Sequence, residues 1–206
     1  PLKWHPDVDL TFVGPGETLT GADLIILPGT KNVLQDCQWL KESDWQQEIS
    51  QHLRYGGKLL GICGGFQMLG KMLNDPQHIE STVDSIPGLG LLDFETELFP
   101  EKQLKQVKGE FSITGLNGEI QGYEIHCGVS TGVALTKHFA TITDQNNHTY
   151  NEGVISPDGQ IIGSYIHGLF EHSQSLQGIL TWVSGQQTAE QDWSTIREQE
   201  LSLIHI

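Results

Sequence analysis

Residues 58–67 read KLLGICGGFQ, and this stretch decides the fold. The mostly apolar run Lys58 to Ile62 predicts a buried strand, and a helix is predicted from Phe66 to Leu73. Between them lies the pattern G-x-C-x-G, in which small residues permit a sharp turn without Cβ clashes. A strand, a sharp turn and a helix in this order are typical of a nucleophile elbow. The pattern therefore predicts that Cys63 lies at the carboxyl edge of a sheet.

Strands and helices alternate on both sides of this elbow. The other predicted elements of this kind are strands at Asp23 to Leu27 and Ile161 to Ile166, and helices at Asn32 to Leu40, Asp44 to Tyr55 and Leu176 to Val183. The middle of the chain instead predicts antiparallel segments at Leu89 to Phe99, Gln106 to Thr114 and Glu119 to His126. We therefore predict an α/β fold with a largely parallel central sheet flanked by helices and with antiparallel additions in the middle of the chain. In the absence of an internal repeat or a long linker, residues 1–206 are interpreted as a single domain.

The charge and the cysteine pattern exclude several classes of protein. With 26 acidic and 11 basic residues the formal net charge is −15, which disfavours binding to nucleic acid or to an anionic membrane surface. The longest apolar runs are too short to span a bilayer, and the first ten residues show no secretory signal. Three cysteines without a CxxC spacing argue against a disulfide framework or a zinc site. These features favour a cytoplasmic protein without a metal centre.

Cys63 admits two interpretations. Cysteine is among the most often buried residue types, so one interpretation is a structural role in the core. The flanking glycines and the elbow favour a nucleophile instead, because the positive end of a helix dipole stabilises a thiolate. In that case the amide of Gly64, directly after the nucleophile, faces the negative charge that develops on an attacked carbonyl group.

A thiolate nucleophile needs a general base, which is usually histidine. His167 is the best placed, because it directly follows a predicted strand and so lies at the carboxyl edge of the sheet, where the sites of α/β folds gather. His126 is the second candidate. The remaining histidines are predicted to lie on the surface, and they are His5, His52, His78, His138, His148, His172 and His205.

Two further positions have open interpretations. The turn LPGT, Leu27 to Thr30, follows a strand, so Gly29 is either part of a simple turn or the second donor of an oxyanion hole. Gln67 lies one helical turn after Cys63, where it braces the LPGT loop, contacts a substrate or is an ordinary polar helix residue. The chain has no phosphate-binding loop of the form G-x-x-x-x-G-K-[ST], so we expect any nucleotide site to lie elsewhere.

Five segments together resemble a known family. LPGTKN, GICGGFQMLG, IPGLGLLDFETE, GYEIHCG and SYIHGLF are similar to the glutamine amidotransferase domain at the C-terminus of cobyric acid synthases, over about residues 22–171. The resemblance implies a class I, flavodoxin-like amidotransferase with Cys63 as nucleophile and His167 as catalytic histidine. It also implies a cytoplasmic cobalamin-pathway enzyme that amidates the b, d, e and g carboxylates of adenosylcobyrinic acid a,c-diamide.

The resemblance further implies partners outside this chain. In the family, an N-terminal synthetase domain uses ATP and Mg to activate the carboxylates, and the corrinoid substrate reaches the glutaminase through it. We therefore expect this chain to be a C-terminal fragment whose partner is that domain of the same polypeptide, without a cofactor of its own. Gln67 and His126 are expected to line the pocket for glutamine.

The sequence departs from the wider class I pattern beside the histidine. Most such amidotransferases carry a glutamate two residues after the histidine, but here that residue is Leu169, and Glu171 lies four residues after it. We therefore predict a Cys–His dyad and leave the partner that orients His167 unassigned. Cys127, where relatives often have methionine, is expected to be inert.

Three other functions fit parts of the sequence. The glutaminase subunit that amidates a peptidoglycan lipid intermediate has a similar elbow, although GYEIHCG favours the corrinoid enzyme. A stand-alone hydrolase or chaperone of the DJ-1 and related peptidase superfamily also has the elbow, but typically carries an early acidic residue that the LPG region lacks. The third is a non-catalytic docking module, and the presence of both Cys63 and His167 argues against it.

Overall fold

Helices and strands alternate at both ends of the chain, and the middle consists of strands. The computed structural model describes residues 1–19 and 21–186, and for residues 102 and 103 the backbone only. In chain order the elements are β1 (Leu24–Leu27), α1 (Val33–Glu42), α2 (Trp45–Arg54), β2 (Lys58–Ile62), α3 (Gly64–Met68), β3 (Met72–Asn74), β4 (Ser85–Pro87), β5 (Glu95–Ile113), β6 (Leu116–Thr131), β7 (Ala140–Asp144), β8 (Thr149–Glu152), β9 (Val154–Ile155), β10 (Ile161–Ser164), β11 (Ile166–His167) and α4 (Ser173–Ser184). No helix within this part of the chain is both long and apolar enough to cross a lipid bilayer.

The first sheet has the spatial order β1–β2–β10–β9. Its first three strands are parallel, and β9 is antiparallel to β10. Successive residues of β2 pack into different cores: Leu59 lies with residues of α1 and α3, and Leu60 lies with residues of α4. Helices therefore cover both faces of this sheet, as expected for parallel strands with continuous apolar runs. The predicted α/β fold is confirmed.

The second sheet contains seven strands and is larger than the predicted additions. The segments Leu89 to Phe99 and Gln106 to Thr114, which we predicted as separate strands, both contribute to β5, and Glu119 to His126 lies in β6. β5 and β6, with 19 and 16 residues, form one long hairpin. Its tip is formed by Thr114 and Gly115, whose φ angles are 45° and 94°. Two successive positive φ angles give the hairpin turn that matches the twist of the flanking strands.

Two local predictions differ from the structure. The helix predicted from Phe66 to Leu73 ends at Met68, and the chain continues into β3. It leaves the helix at Gly70, where a Cβ atom would lie 2.7 Å from the Phe94 carbonyl oxygen, so the backbone packs too closely for another turn of helix. The strand predicted from Ile161 to Ile166 ends at Ser164, and Ile166 begins β11, which pairs with β6 in the second sheet.

Candidate active site

Cys63 lies at the junction of β2 and α3, where the elbow was predicted. Its φ of 53° and ψ of −111° are a left-handed conformation that residues with a side chain rarely adopt. Two hydrogen bonds hold this conformation: the Cys63 amide donates to the Ser164 carbonyl at 2.8 Å, and the Gln67 amide donates to the Cys63 carbonyl at 3.0 Å. The side chain of Cys63 is half-buried at the carboxyl edge of the first sheet.

The glycines beside Cys63 are required by close packing against the LPGT loop. A Cβ atom on Gly65 would collide with the Leu27 carbonyl oxygen, and the Gly65 amide donates a hydrogen bond to the Pro28 carbonyl at 3.1 Å. A Cβ atom on Gly61 would lie 2.7 Å from the Gly65 carbonyl oxygen. The elbow and the end of β1 therefore form one closely packed unit.

The structure brings His167 and Cys63 to the same place. A Cβ atom on Gly29 would lie 3.3 Å from Cε1 of His167 and 3.5 Å from Cβ of Cys63, so both side chains border the space beside Gly29. The Ile125 backbone carbonyl contacts both of them: it accepts a hydrogen bond from the Cys63 thiol at 3.4 Å and one from the His167 imidazole. The contact made by Ile125 was not predicted. It is made by the backbone carbonyl, which every residue has, so the type of side chain at this position does not indicate it.

His167 has the properties of a general base. Burial lowers the pKa of its imidazole, and the hydrogen bond to Ile125 only partly opposes this shift. The ring is therefore neutral near pH 7, which is the form that accepts a proton. Among the described residues its buried Nε2 atom has no hydrogen-bond partner. The ring is held flat against Tyr123, with centroids 5.2 Å apart and an angle of 9° between the planes.

Two backbone amides near Cys63 are unpaired. Within residues 1–19 and 21–186 neither the Gly29 amide nor the Gly64 amide donates a hydrogen bond to the protein. The backbones approach closely here, because a Cβ atom on Gly64 would lie 3.1 Å from the Thr30 amide nitrogen. Unpaired amides beside a nucleophile are the donors from which an oxyanion hole is built.

Comparison with known proteins gives the family. The model of the CobB/CobQ-like glutamine amidotransferase domain matches residues 1–175. The chain belongs to this family. Two solved structures are similar in fold: one described as a glutamine amidotransferase, 18% identical with a TM-score of 0.54 and 82% of each chain covered, and PurLQS from Thermotoga maritima, 18% identical with a TM-score of 0.59, covering 84% of this chain and 86% of the other. At this identity the likeness concerns the fold alone.

Gln67 of this amidotransferase is a buried structural contact, with 4% of its surface exposed. Its side-chain amide donates to the Cys127 carbonyl at 3.1 Å and to the Tyr165 hydroxyl at 3.4 Å. These partners lie on β6 and between β10 and β11, so Gln67 braces the strands that carry His126 and His167 rather than the LPGT loop.

His126 is a partly buried residue of β6 in this amidotransferase. Its Nδ1 atom is 3.1 Å from the Gly128 carbonyl oxygen, and its ring stacks on Tyr165 with centroids 3.8 Å apart. Burial lowers the pKa of His126 to about 4; the hydrogen bond to Gly128 opposes this shift, and the positive charges of Lys105 and His167 contribute to it. His126 is therefore neutral near pH 7.

The position two residues after His167 supplies no carboxylate. Leu169 is 1% exposed and packs in the apolar core that includes residues of α4. The Glu171 side chain is exposed, and the backbone amide of this residue donates to the Gly168 carbonyl at 2.9 Å. In the described part of the amidotransferase, moreover, no group of three or more His, Cys, Asp or Glu side chains is arranged to hold a metal ion.

One prediction about the other histidines is wrong. His5 is only 4% exposed, because residues 1–8 fold over α4 through Leu2 and Val8, and its Nδ1 atom accepts the Asp7 amide at 3.2 Å. A short turn at the end of a chain offers no periodic pattern from which this burial can be read. His205 lies outside the described residues.

Proposed function

We propose that this amidotransferase hydrolyses glutamine through a dyad of Cys63 and His167 and supplies ammonia to a synthetase. The observation that carries the proposal is the meeting of Cys63 and His167 beside Gly29, in a chain of the CobB/CobQ-like family. The acceptors of the ammonia are the b, d, e and g carboxylates of adenosylcobyrinic acid a,c-diamide. This part of the proposal is supported by the resemblance of GYEIHCG and SYIHGLF to cobyric acid synthases.

The chemistry proceeds through a thioester. His167 takes the proton of the Cys63 thiol, and the thiolate attacks the γ-carboxamide carbon of glutamine. The Gly29 and Gly64 amides stabilise the negative charge on the attacked oxygen. His167 then returns its proton to the departing nitrogen, which leaves as ammonia, and afterwards activates a water molecule that releases glutamate from Cys63.

Gln67 and His126 support one wall of the glutamine pocket. Both contact Tyr165, Gln67 through the hydroxyl and His126 through the ring. Tyr165 lies two residues before His167, so these contacts fix the wall that carries the base. We assign Gln67 and His126 to substrate binding through this wall.

The ammonia needs an activated acceptor, because a free carboxylate does not react with it. We propose that a synthetase domain of the same polypeptide binds ATP, Mg and the corrinoid in the cytoplasm, and that this amidotransferase itself requires no cofactor. With a net charge of −15, nucleic acid and anionic membranes remain disfavoured as partners.

A glutamine-like diazo-ketone tests the nucleophile. We expect one covalent adduct per chain, located at Cys63 by peptide mass spectrometry, and no adduct in Cys63→Ser. The matched control is Cys127→Ser, because Cys127 is also half-buried but belongs to β6 rather than to the elbow, and this variant should be labelled like the unmodified chain. Labelling at Cys37 or Cys127 in the unmodified chain would refute the assignment.

A further inference from the structure

Glu152, at the end of β8, is a buried acid that the dyad does not use. Its side chain is 4% exposed, and among the described residues it belongs to no ion pair. Burial raises the pKa of Glu152 to about 8; the nearby Glu124 acts in the same direction, and the hydrogen bond from the Tyr165 amide partly opposes the shift. A buried carboxyl group without a cation is unfavourable unless hydrogen bonds compensate it.

Those hydrogen bonds come from the residues just before His167. The Tyr165 amide donates to Oε1 of Glu152 at 2.6 Å, and the Ser164 hydroxyl donates to Oε2 at 2.9 Å. The Ser164 hydroxyl oxygen in turn accepts the Ile166 amide at 3.0 Å. One carboxyl group thus ties down three successive residues.

These three residues are the point at which the chain changes sheets. β10 pairs with β2 as far as Ser164, and β11 begins at Ile166 and pairs with β6. The Tyr165 amide lies between the hydrogen-bond ladders of the two sheets and belongs to neither. It donates its hydrogen bond to the Glu152 carboxyl group instead. The direction in which the chain leaves Ser164 determines where His167 lies.

The same segment also reaches the nucleophile. The Ser164 carbonyl accepts the Cys63 amide at 2.8 Å, so it holds the backbone of the elbow. Glu152 therefore acts on a segment that touches Cys63 at one end and continues into His167 at the other. Leu169 offers no alternative carboxylate at the place where wider class I enzymes carry one.

We propose that Glu152 is a positioning residue for the Cys63–His167 dyad and acts through Ser164 and Tyr165. It fixes the crossover between the sheets and thereby the distance from the imidazole to the thiol, without touching either. The proposal rests on the proposed glutaminase function.

The test compares variants of Glu152 in the full chain. In Glu152→Leu, which has no acceptor for Tyr165 or Ser164, we expect kcat for glutamine hydrolysis per reactive Cys63 to fall about 100-fold while KM changes less than about threefold, because misplacing a base affects the chemical step. Glu152→Gln keeps an acceptor for the Tyr165 amide and offers a donor to the Ser164 oxygen, so it should stay within about fivefold of the unmodified chain. Reactive sites are counted by titrating Cys63 with the diazo-ketone.

The control destabilises the same β7–β8 hairpin at its other end. Asp144 accepts the Asn146 and His148 amides in the turn before β8, so Asp144→Ala, which removes this acceptor, should lower the unfolding midpoint but leave kcat per reactive site unchanged. If Glu152→Leu does not fold, Ser164→Ala removes part of the same link and should lower kcat with KM preserved. Unchanged kcat per reactive site in Glu152→Leu, or equal losses in Asp144→Ala, would overturn the positioning role. A lack of labelling at Cys63 in the unmodified chain, together with a lack of glutaminase activity even when the synthetase domain is added, would instead refute the proposed function.

Discussion

At the scale of single residues, the proposed mechanism predicts that the protonation of His167 sets the pH range of activity. A base works only when neutral, so kcat/KM should fall as the pH drops through the pKa of His167. Because burial lowers this pKa from its ordinary value of 6.5, the acid limb of the pH profile should lie below pH 6.5. A profile of glutaminase kcat/KM from about pH 4.5 to 8 checks this. An acid limb centred above the ordinary imidazole value would contradict the burial of the base.

Substituting the two histidines should separate their roles. His167→Ala removes the base, and we expect turnover to fall by roughly 10²–10⁴. His126→Ala removes a ring that stacks on Tyr165, and we expect mainly a raised KM for glutamine. Steady-state kinetics of both variants measure the difference, and the opposite pattern would exchange the two roles.

Gln67 should matter for stability as well as for binding. In Gln67→Leu the Cys127 carbonyl loses its contact with Gln67 while Tyr165 keeps Ser130 as a partner, so we expect a loss of about 1–3 kcal/mol in the free energy of unfolding. Urea unfolding measures it. The matched control is Gln51→Leu on the exposed side of α2, which should change stability by less than about 0.5 kcal/mol. Equal effects in both variants would mean that the hydrogen bonds of Gln67 do not contribute to the free energy of unfolding.

The parts of the site that follow strands were predictable from sequence, and the parts that depend on the second sheet were not. Cys63 directly follows β2 and Gly29 lies two residues after β1, so their common edge could be inferred from the order of elements. His167 was correctly expected near the end of the strand that begins at Ile161, but it lies in β11, which pairs with β6 in the second sheet. Ile125 contributes a backbone carbonyl, and Glu152 acts from β8 across a crossover between sheets. Neither contact has a local spacing from which it can be recognised.

At the scale of the β7–β8 hairpin and the crossover, Glu152 should make stability depend on pH. Folding raises the pKa of Glu152 to about 8, so between the unfolded value near 4.3 and pH 8 the folded protein keeps a proton that the unfolded chain has lost. Raising the pH through this window therefore destabilises the fold. Glutamine does not titrate, so the stability of Glu152→Gln relative to the unmodified chain should rise between about pH 5 and pH 8.5, by up to a few kcal/mol. Urea unfolding of both proteins at the two pH values measures this, and a difference that is constant with pH would contradict the shifted pKa.

The helices and the strands of the first sheet were predicted better than the long hairpin of the second sheet, and the difference has a physical reason. Helices α1 and α2 and the strands of the first sheet have periodic apolar faces or continuous apolar runs, which local sequence reveals. The hairpin of β5 and β6 was divided into separate segments because its polar and charged residues interrupt the regular alternation that a strand with one solvated face ordinarily shows. Its continuity comes from the ladder between the two strands, which is a non-local property.

At the scale of the whole molecule, glutamine hydrolysis should depend on the partner. We expect this chain alone to be a poor glutaminase, because an oxyanion hole without one good donor loses roughly 10²–10³ in rate, and the Gly29 amide in the LPGT loop is the donor that docking would bring into place. Turnover should rise when the synthetase domain, ATP and the a,c-diamide are added together.

Three reconstitutions measure this dependence: the chain alone, the chain with the synthetase domain, and the complete mixture with nucleotide and corrinoid. Equal turnover in all three would favour an autonomous hydrolase. Stimulation by a peptidoglycan lipid synthetase, but not by the corrinoid enzyme, would assign the ammonia to the other acceptor.

The join between the two sheets also has a consequence for how the protein folds. Lys58 at the start of β2 meets the Gly159 carbonyl 101 residues later, whereas β5 and β6 pair around a two-residue turn. Short loops close faster than long ones, so the hairpin is expected to form early and the pairing of β2 with β10 late. A growing chain on the ribosome thus exposes its thiol long before the imidazole has been synthesised. On the proposed mechanism, incomplete chains that lack His167 are therefore expected not to hydrolyse glutamine.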